Sequence, residues 1–94
     1  MPIHTADIAL VFDEIADLLE IQGANVFRVR AYRNAARTLR DLGREMSAMV
    51  ETYENLAALP GIGKDLAGKI QEIVQHGSEA ILEEYRKGIP RGGN

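Results

Sequence analysis

The chain has 94 residues, enough for one modest hydrophobic core and a single domain. Its 46% hydrophobic content excludes a disordered chain, and the absence of cysteine excludes a disulfide framework or a cysteine metal site. The formal net charge of −3 excludes a uniformly basic surface, and the two histidines, His4 and His76, are too isolated to build a zinc site.

No apolar run approaches the ~18–20 residues that span a membrane. The opening Met1 to Asp7 lacks a basic region followed by an apolar stretch. The expectation is a cytoplasmic protein with no membrane partner. The charge is segregated along the chain. Residues 1–24 carry Asp7, Asp13, Glu14, Asp17 and Glu20 without a lysine or arginine. Residues 25–45 carry Arg28, Arg30, Arg33, Arg37, Arg40 and Arg44 against only Asp41 and Glu45. A polyanion responds to the local field and not to the sum.

In chain order, Ile8, Phe12, Ile15 and Leu19, widened by Val11 and Leu18, predict an amphipathic helix over about 5–22. Thr5 is the expected N-cap, Asp7 suits the first turn, and Gly23 closes the segment. Asn25 caps a second helix over about 26–42, ended by Gly43. Its apolar face carries Val29, Tyr32, Ala35, Ala36, Leu39 and Leu42, and Arg30, Arg33, Arg37, Arg40 and Arg44 form a stripe beside it. Arg28 points to the apolar side at the first turn, where a long side chain reaches past the core edge. Residues 46–58 read as a short helix or turn, with Met46, Met49, Val50, Tyr53 and Leu56 inward. A helix over about 64–76 buries Leu66, Ile70, Ile73 and Val74 and stops at Gly77. Ser78 caps a last helix over about 79–87, with Ile81, Leu82 and Tyr85 inward. Gly88, Pro90 and the Gly92–Gly93 pair end the pattern, which sets a domain over 1–90 and a tail over 91–94. With no strand pattern, the fold class is all-α: a compact bundle of four to five short helices.

The run Leu59-Pro60-Gly61-Ile62-Gly63-Lys64 carries the chemistry. Two glycines let the backbone turn sharply and approach a ligand without a Cβ in the way. The following helix start offers unpaired amides and a partial positive charge, and so an anion site built from main chain. Ile62 plugs the core between the flanking helices. A bare G-x-G would be only a helix–helix turn; the Leu59-Pro60 before it and Lys64 after it make the pattern specific for phosphate.

This stretch resembles the helix-hairpin-helix motif of DNA repair and replication proteins. Together with Val26-Phe27-Arg28-Val29-Arg30-Ala31-Tyr32-Arg33-Asn34-Ala35-Ala36 and the opening Asp13-Glu14-Ile15-Ala16-Asp17-Leu18-Leu19-Glu20, the chain resembles the amino-terminal 8 kDa domain of family X DNA polymerases of bacterial and archaeal type. The similarity covers about residues 5–90. The resemblance implies binding of gapped DNA with a grip on the 5′-phosphate. It implies Arg28 and Tyr32 as phosphate contacts, backbone contacts from Gly61, Ile62, Gly63 and Lys64, and Lys69 as the Schiff-base lysine of a 5′-deoxyribose-phosphate lyase. It also implies a sodium or potassium ion on the carbonyls of Ala57, Leu59 and Ile62. The chain departs from the pattern of eukaryotic repair members where Ala57-Ala58 and Asp65 stand in for lysines. These losses make the pocket less basic.

Lys69 has a simpler account as the partner of Asp65, four residues earlier, in a helical ion pair. The arginine stripe, with Arg33 and Arg37 as candidate DNA contacts, has two simpler accounts: a solvated face, or pairing with acids of the first helix. Tyr32 serves core packing with its hydroxyl at the rim as readily as a DNA contact. The function expected is sequence-independent DNA binding through the phosphate backbone, at gaps, nicks or 5′-phosphorylated ends, with no required cofactor. A lyase built on Lys69 and a protein-interaction module without DNA binding are the alternatives. A nucleotidyl transferase would need a carboxylate cluster for two metals on a further domain.

Overall fold

The computed structural model describes residues 4–51 and 55–87. Tyr53 and the expected tail lie outside the described residues. Among the described residues five α-helices run in order: α1 Thr5–Ile21, α2 Val26–Leu42, α3 Met46–Glu51, α4 Lys64–His76 and α5 Ser78–Arg86. A 3-10 turn, Leu56–Ala58, precedes the α4 hairpin. No strand occurs among the described residues, so the chain is all-α as its periodicity predicts. No helix among them is long and apolar enough to cross a membrane.

The first two helices form the main packing pair. Ala9 and Ala16 of α1 and Ala35 and Ala36 of α2 are all fully buried in the shared core. Phe12, also fully buried, sets its ring edge-on to Tyr32 with centroids 5.3 Å apart. Outside this core, Arg33 bonds Asp17 at 2.9 Å and Glu20 at 2.6 Å, and Arg40 bonds Asp13 at 2.6 Å. The higher-numbered arginine meets the lower-numbered acid, so α1 and α2 run antiparallel. The charge segregation seen in the sequence is therefore spent in part on an α1–α2 clasp. Helix α5 packs on α1 and α4, and Gln22 Nε2 donates to the Tyr85 carbonyl at 2.7 Å.

Two cap assignments shift by one residue. His4, not Thr5, is the N-cap of α1, and its amide donates to the Asp7 carboxylate at 3.3 Å. Thr5 lies inside the first turn, 6% exposed. Its hydroxyl donates to the Arg44 carbonyl at 2.7 Å and accepts the Met46 amide at 2.7 Å. Thr5 thus caps the start of α3 from another helix. Likewise Gly77, not Ser78, precedes α5; at φ 84° it ends α4 and starts the next helix. The Asn25 cap forms as read: its Oδ1 accepts the Phe27 amide at 2.8 Å. Gly43 closes α2 at φ 67°.

Candidate nucleic-acid interface

The hairpin ahead of α4 is a tight turn. The Ile62 amide donates to the Leu59 carbonyl at 3.0 Å across Pro60 and Gly61, and Gly61 has φ 74°. Proline second and a left-handed glycine third is the pattern of a type II turn. Thr38 of α2 donates its hydroxyl to the Pro60 carbonyl at 2.7 Å and so fastens the turn to that helix. Ile62, 2% exposed, plugs the core beneath.

The two glycines differ in role. Gly61 needs its freedom for backbone conformation. Gly63 sits at φ −84° and ψ −178°, a region open to any residue, and a Cβ there would meet nothing within 4 Å. What Gly63 offers is bare backbone at the start of α4. The first intrahelical amide bond of α4 is from Ala67 to the Gly63 carbonyl at 2.9 Å, so the preceding amides face outward for an acceptor. The Ile62 amide is already engaged within the turn, which removes it from the phosphate donors expected there.

Between this hairpin, α2 and the end of α5 lies a cleft of about 930 Å³. Arg28 and Tyr32 line it from α2, Gly61 and Gly63 from the hairpin, Lys64 and Lys69 from α4, and Tyr85 from α5. The structure thus gathers most of the residues singled out in the sequence. It leaves out Arg33 and Arg37. Arg33 turns away to Asp17 and Glu20, and those two hydrogen bonds raise its pKa further above the ordinary arginine value. Arg37 is exposed on α2 beyond the cleft lining. Of the arginine stripe, Arg33 and Arg40 form the clasp, and Arg28, which stands off the stripe, is the α2 arginine at the cleft.

Tyr85 is the residue that sequence reasoning placed only in the core. Its hydroxyl lies 2.7 Å from that of Tyr32 and 3.4 Å from Arg28 Nη2. Two cations stand over its ring, with Arg28 Cζ 5.7 Å and Lys69 Nζ 5.9 Å from the centroid. Burial, then the Tyr85 hydrogen bond, push the Tyr32 phenol well above the usual tyrosine range. The carboxylate in ion-pair range of Lys69 is Glu72 at 3.9 Å, one turn after it, in place of the expected Asp65. Asp65, Glu72 and Glu84 also line the cleft. Three carboxylates thus offset the three cations, and an anion would be held by the arrangement of donors and not by a net positive field.

A family model described as "Helix-hairpin-helix domain" matches residues 3–79. The chain belongs to the helix-hairpin-helix domain family. A relative, the "DNA polymerase/3'-5' exonuclease PolX" of Bacillus subtilis (strain 168), is 35% identical over 89 residues. That match covers 95% of this chain and 15% of the relative, so the chain spans about one seventh of that polymerase's length. The helix-hairpin-helix domain here is of the kind found in family X polymerases.

Proposed function

We propose that this helix-hairpin-helix domain binds DNA independently of sequence, through phosphates. Its targets are gaps, nicks or 5′-phosphorylated ends, in cytoplasmic DNA repair. The observation that carries the reading is the convergence of Arg28, Lys64 and Lys69 on one cleft walled by the Gly61–Gly63 hairpin. Arginine forks, ammonium groups and outward helix-start amides are the donors that phosphate oxygens take. Contacts of these donors with phosphates position DNA without reading its sequence. The similarity to a DNA polymerase supports the same partner.

In the same reading, a sodium or potassium ion is held by the carbonyls of Ala57, Leu59 and Ile62. The Leu59 carbonyl spends one lone pair on the Ile62 amide and keeps a second for a cation. Such an ion would neutralise the phosphate that approaches the turn.

Fluorescence anisotropy with three labelled duplexes tests the function: intact, gapped with a 5′-hydroxyl, and gapped with a 5′-phosphate. The expected order is weakest for the intact duplex and tightest for the phosphorylated gap, with affinity falling steeply as salt rises. Equal binding to all three refutes end recognition, and no binding at low salt refutes the DNA reading altogether.

A further inference from the structure

Tyr85 has no assigned role in phosphate binding, yet the polar groups of the cleft converge on it. Its ring is edge-on to Tyr32, with centroids 6.1 Å apart. The two hydroxyls are in hydrogen-bond contact at 2.7 Å, and only one proton can lie between them. Tyr32 is 4% exposed, and among the described residues no buried side-chain polar atom lacks a partner. Its hydroxyl meets Tyr85 and no other acceptor among the described hydrogen bonds. Either oxygen can be the donor in this bond, and Tyr32, the more buried of the two, has its hydroxyl engaged by it. The Tyr85 oxygen also receives Arg28 at 3.4 Å. When Tyr32 is the donor, Tyr85 has its own proton to give, and its half-buried side chain lies in the cleft lining.

We infer that Tyr85, and not Tyr32, supplies the hydroxyl that donates to a terminal phosphate in the cleft, between the cations of Arg28 and Lys69. Tyr32 is a positioning residue beneath it, fixing the direction of that hydroxyl. The ring also sets the spacing of the cations, since both stand within 6 Å of its centroid. A phosphate monoester has one more free oxygen than an internal diester, and so an acceptor for the Tyr85 hydroxyl beside those that face Arg28 and Lys69. The inference rests on the end-binding reading and names the side chain that makes the end distinguishable.

The test is the ratio of dissociation constants for 5′-hydroxyl and 5′-phosphate gaps, measured for the wild type, Tyr85→Phe and Tyr32→Phe. Tyr85→Phe keeps the ring and loses the donor, and it is expected to lower the phosphate preference about tenfold, the scale of a hydrogen bond to a charged group. Tyr32→Phe removes the group that fixes the Tyr85 hydroxyl, and it is expected to lower the preference less than Tyr85→Phe does and to lower Tm as well. An unchanged preference in folded Tyr85→Phe overturns the assignment while leaving end binding intact. A wild type that binds gaps but ignores the 5′-phosphate overturns both. A measurement free of variants is a titration of the wild type with inorganic phosphate, read by the ring resonances of the tyrosines. A saturable shift at Tyr85 is expected, and its absence overturns the assignment.

Discussion

The guanidinium of Arg33 lies 2.6 Å from the carboxylate of Glu20. An arginine so engaged, with Asp17 as its second partner at 2.9 Å, releases few counterions from DNA. Arg33→Ala should therefore leave the salt dependence of DNA affinity unchanged. Lys64→Ala and Arg28→Ala should each flatten it by roughly 0.9 in log–log slope, one phosphate contact on duplex DNA. Titrations at four salt concentrations decide the matter. A flattened slope in Arg33→Ala would mean that the clasp opens on binding.

The two hairpin glycines should respond differently to substitution. Gly61→Val places a β-branched residue at φ 74° and should destabilise the fold by about 1–3 kcal/mol. Gly63→Asp meets no steric obstacle and supplies a favoured N-cap, so Tm should hold or rise. Its carboxylate would stand where a phosphate approaches, and DNA affinity should fall at least tenfold, a loss of about 1.4 kcal/mol. A Gly63→Asp domain that is stable and binds normally would remove the hairpin from the interface.

Lys69 makes a poor nucleophile in this setting. Its amine lies 3.9 Å from the Glu72 carboxylate, an ion pair that must open before the amine can attack a sugar carbonyl. Borohydride should trap little adduct between the wild type and a 5′-deoxyribose-phosphate end. Glu72→Gln and Asp65→Lys should each increase trapping, by removing an acid or adding a cation. Efficient trapping by the unmodified domain, abolished in Lys69→Ala, would make it a lyase.

Thr5 should matter for stability alone. Thr5→Val keeps the shape but leaves the Arg44 carbonyl and the Met46 amide without their 2.7 Å partner. The expected cost is about 1–3 kcal/mol. At roughly 4–8 °C per kcal/mol for a domain of this size, calorimetry should resolve it readily. Thr5→Ser should recover most of the loss, and DNA affinity of the folded protein should be the same in both.

Alkaline stability should report on Tyr32. Its pKa is raised in the folded state, so folding favours the neutral phenol. That contribution is complete below about pH 10, the unfolded value, and is lost as pH rises from there towards the folded pKa. Denaturation midpoints measured between about pH 9 and 12 should fall in the wild type, and fall less in Tyr32→Phe.

Much of this was legible in the sequence where local rules govern. Asn25 and Gly43 bracket α2, and the observed Val26–Leu42 matches their reading, because both caps act through their own neighbours. Lys64–His76 likewise follows from the glycines at its two ends. Thr5 misled because a threonine before an apolar stripe looks like a local cap, whereas its partners are 39 and 41 residues away. The site divides the same way. Arg28, Tyr32, Lys64, Lys69 and the glycines carry motif signals, and the structure brings them together. Tyr85 shows only that it faces inward; its meeting with Tyr32, 53 residues earlier, is a product of helix packing that no local spacing reveals. The arginine stripe was visible as a pattern, and pairing with acids of the first helix was one of the accounts it allowed; Arg33 and Arg40 follow that account.

The bond from Thr38 to the Pro60 carbonyl joins the hairpin to the helix that carries Arg28 and Tyr32. Two walls of the cleft are thus tied together, and on the proposed function DNA would enter a shape that already exists. Encounter then needs no slow rearrangement, and arrival rates should differ little among DNA ends. If the domain discriminates a phosphorylated end from a bare one as proposed, it would do so by residence: every end is sampled quickly, and the right one is the one that stays.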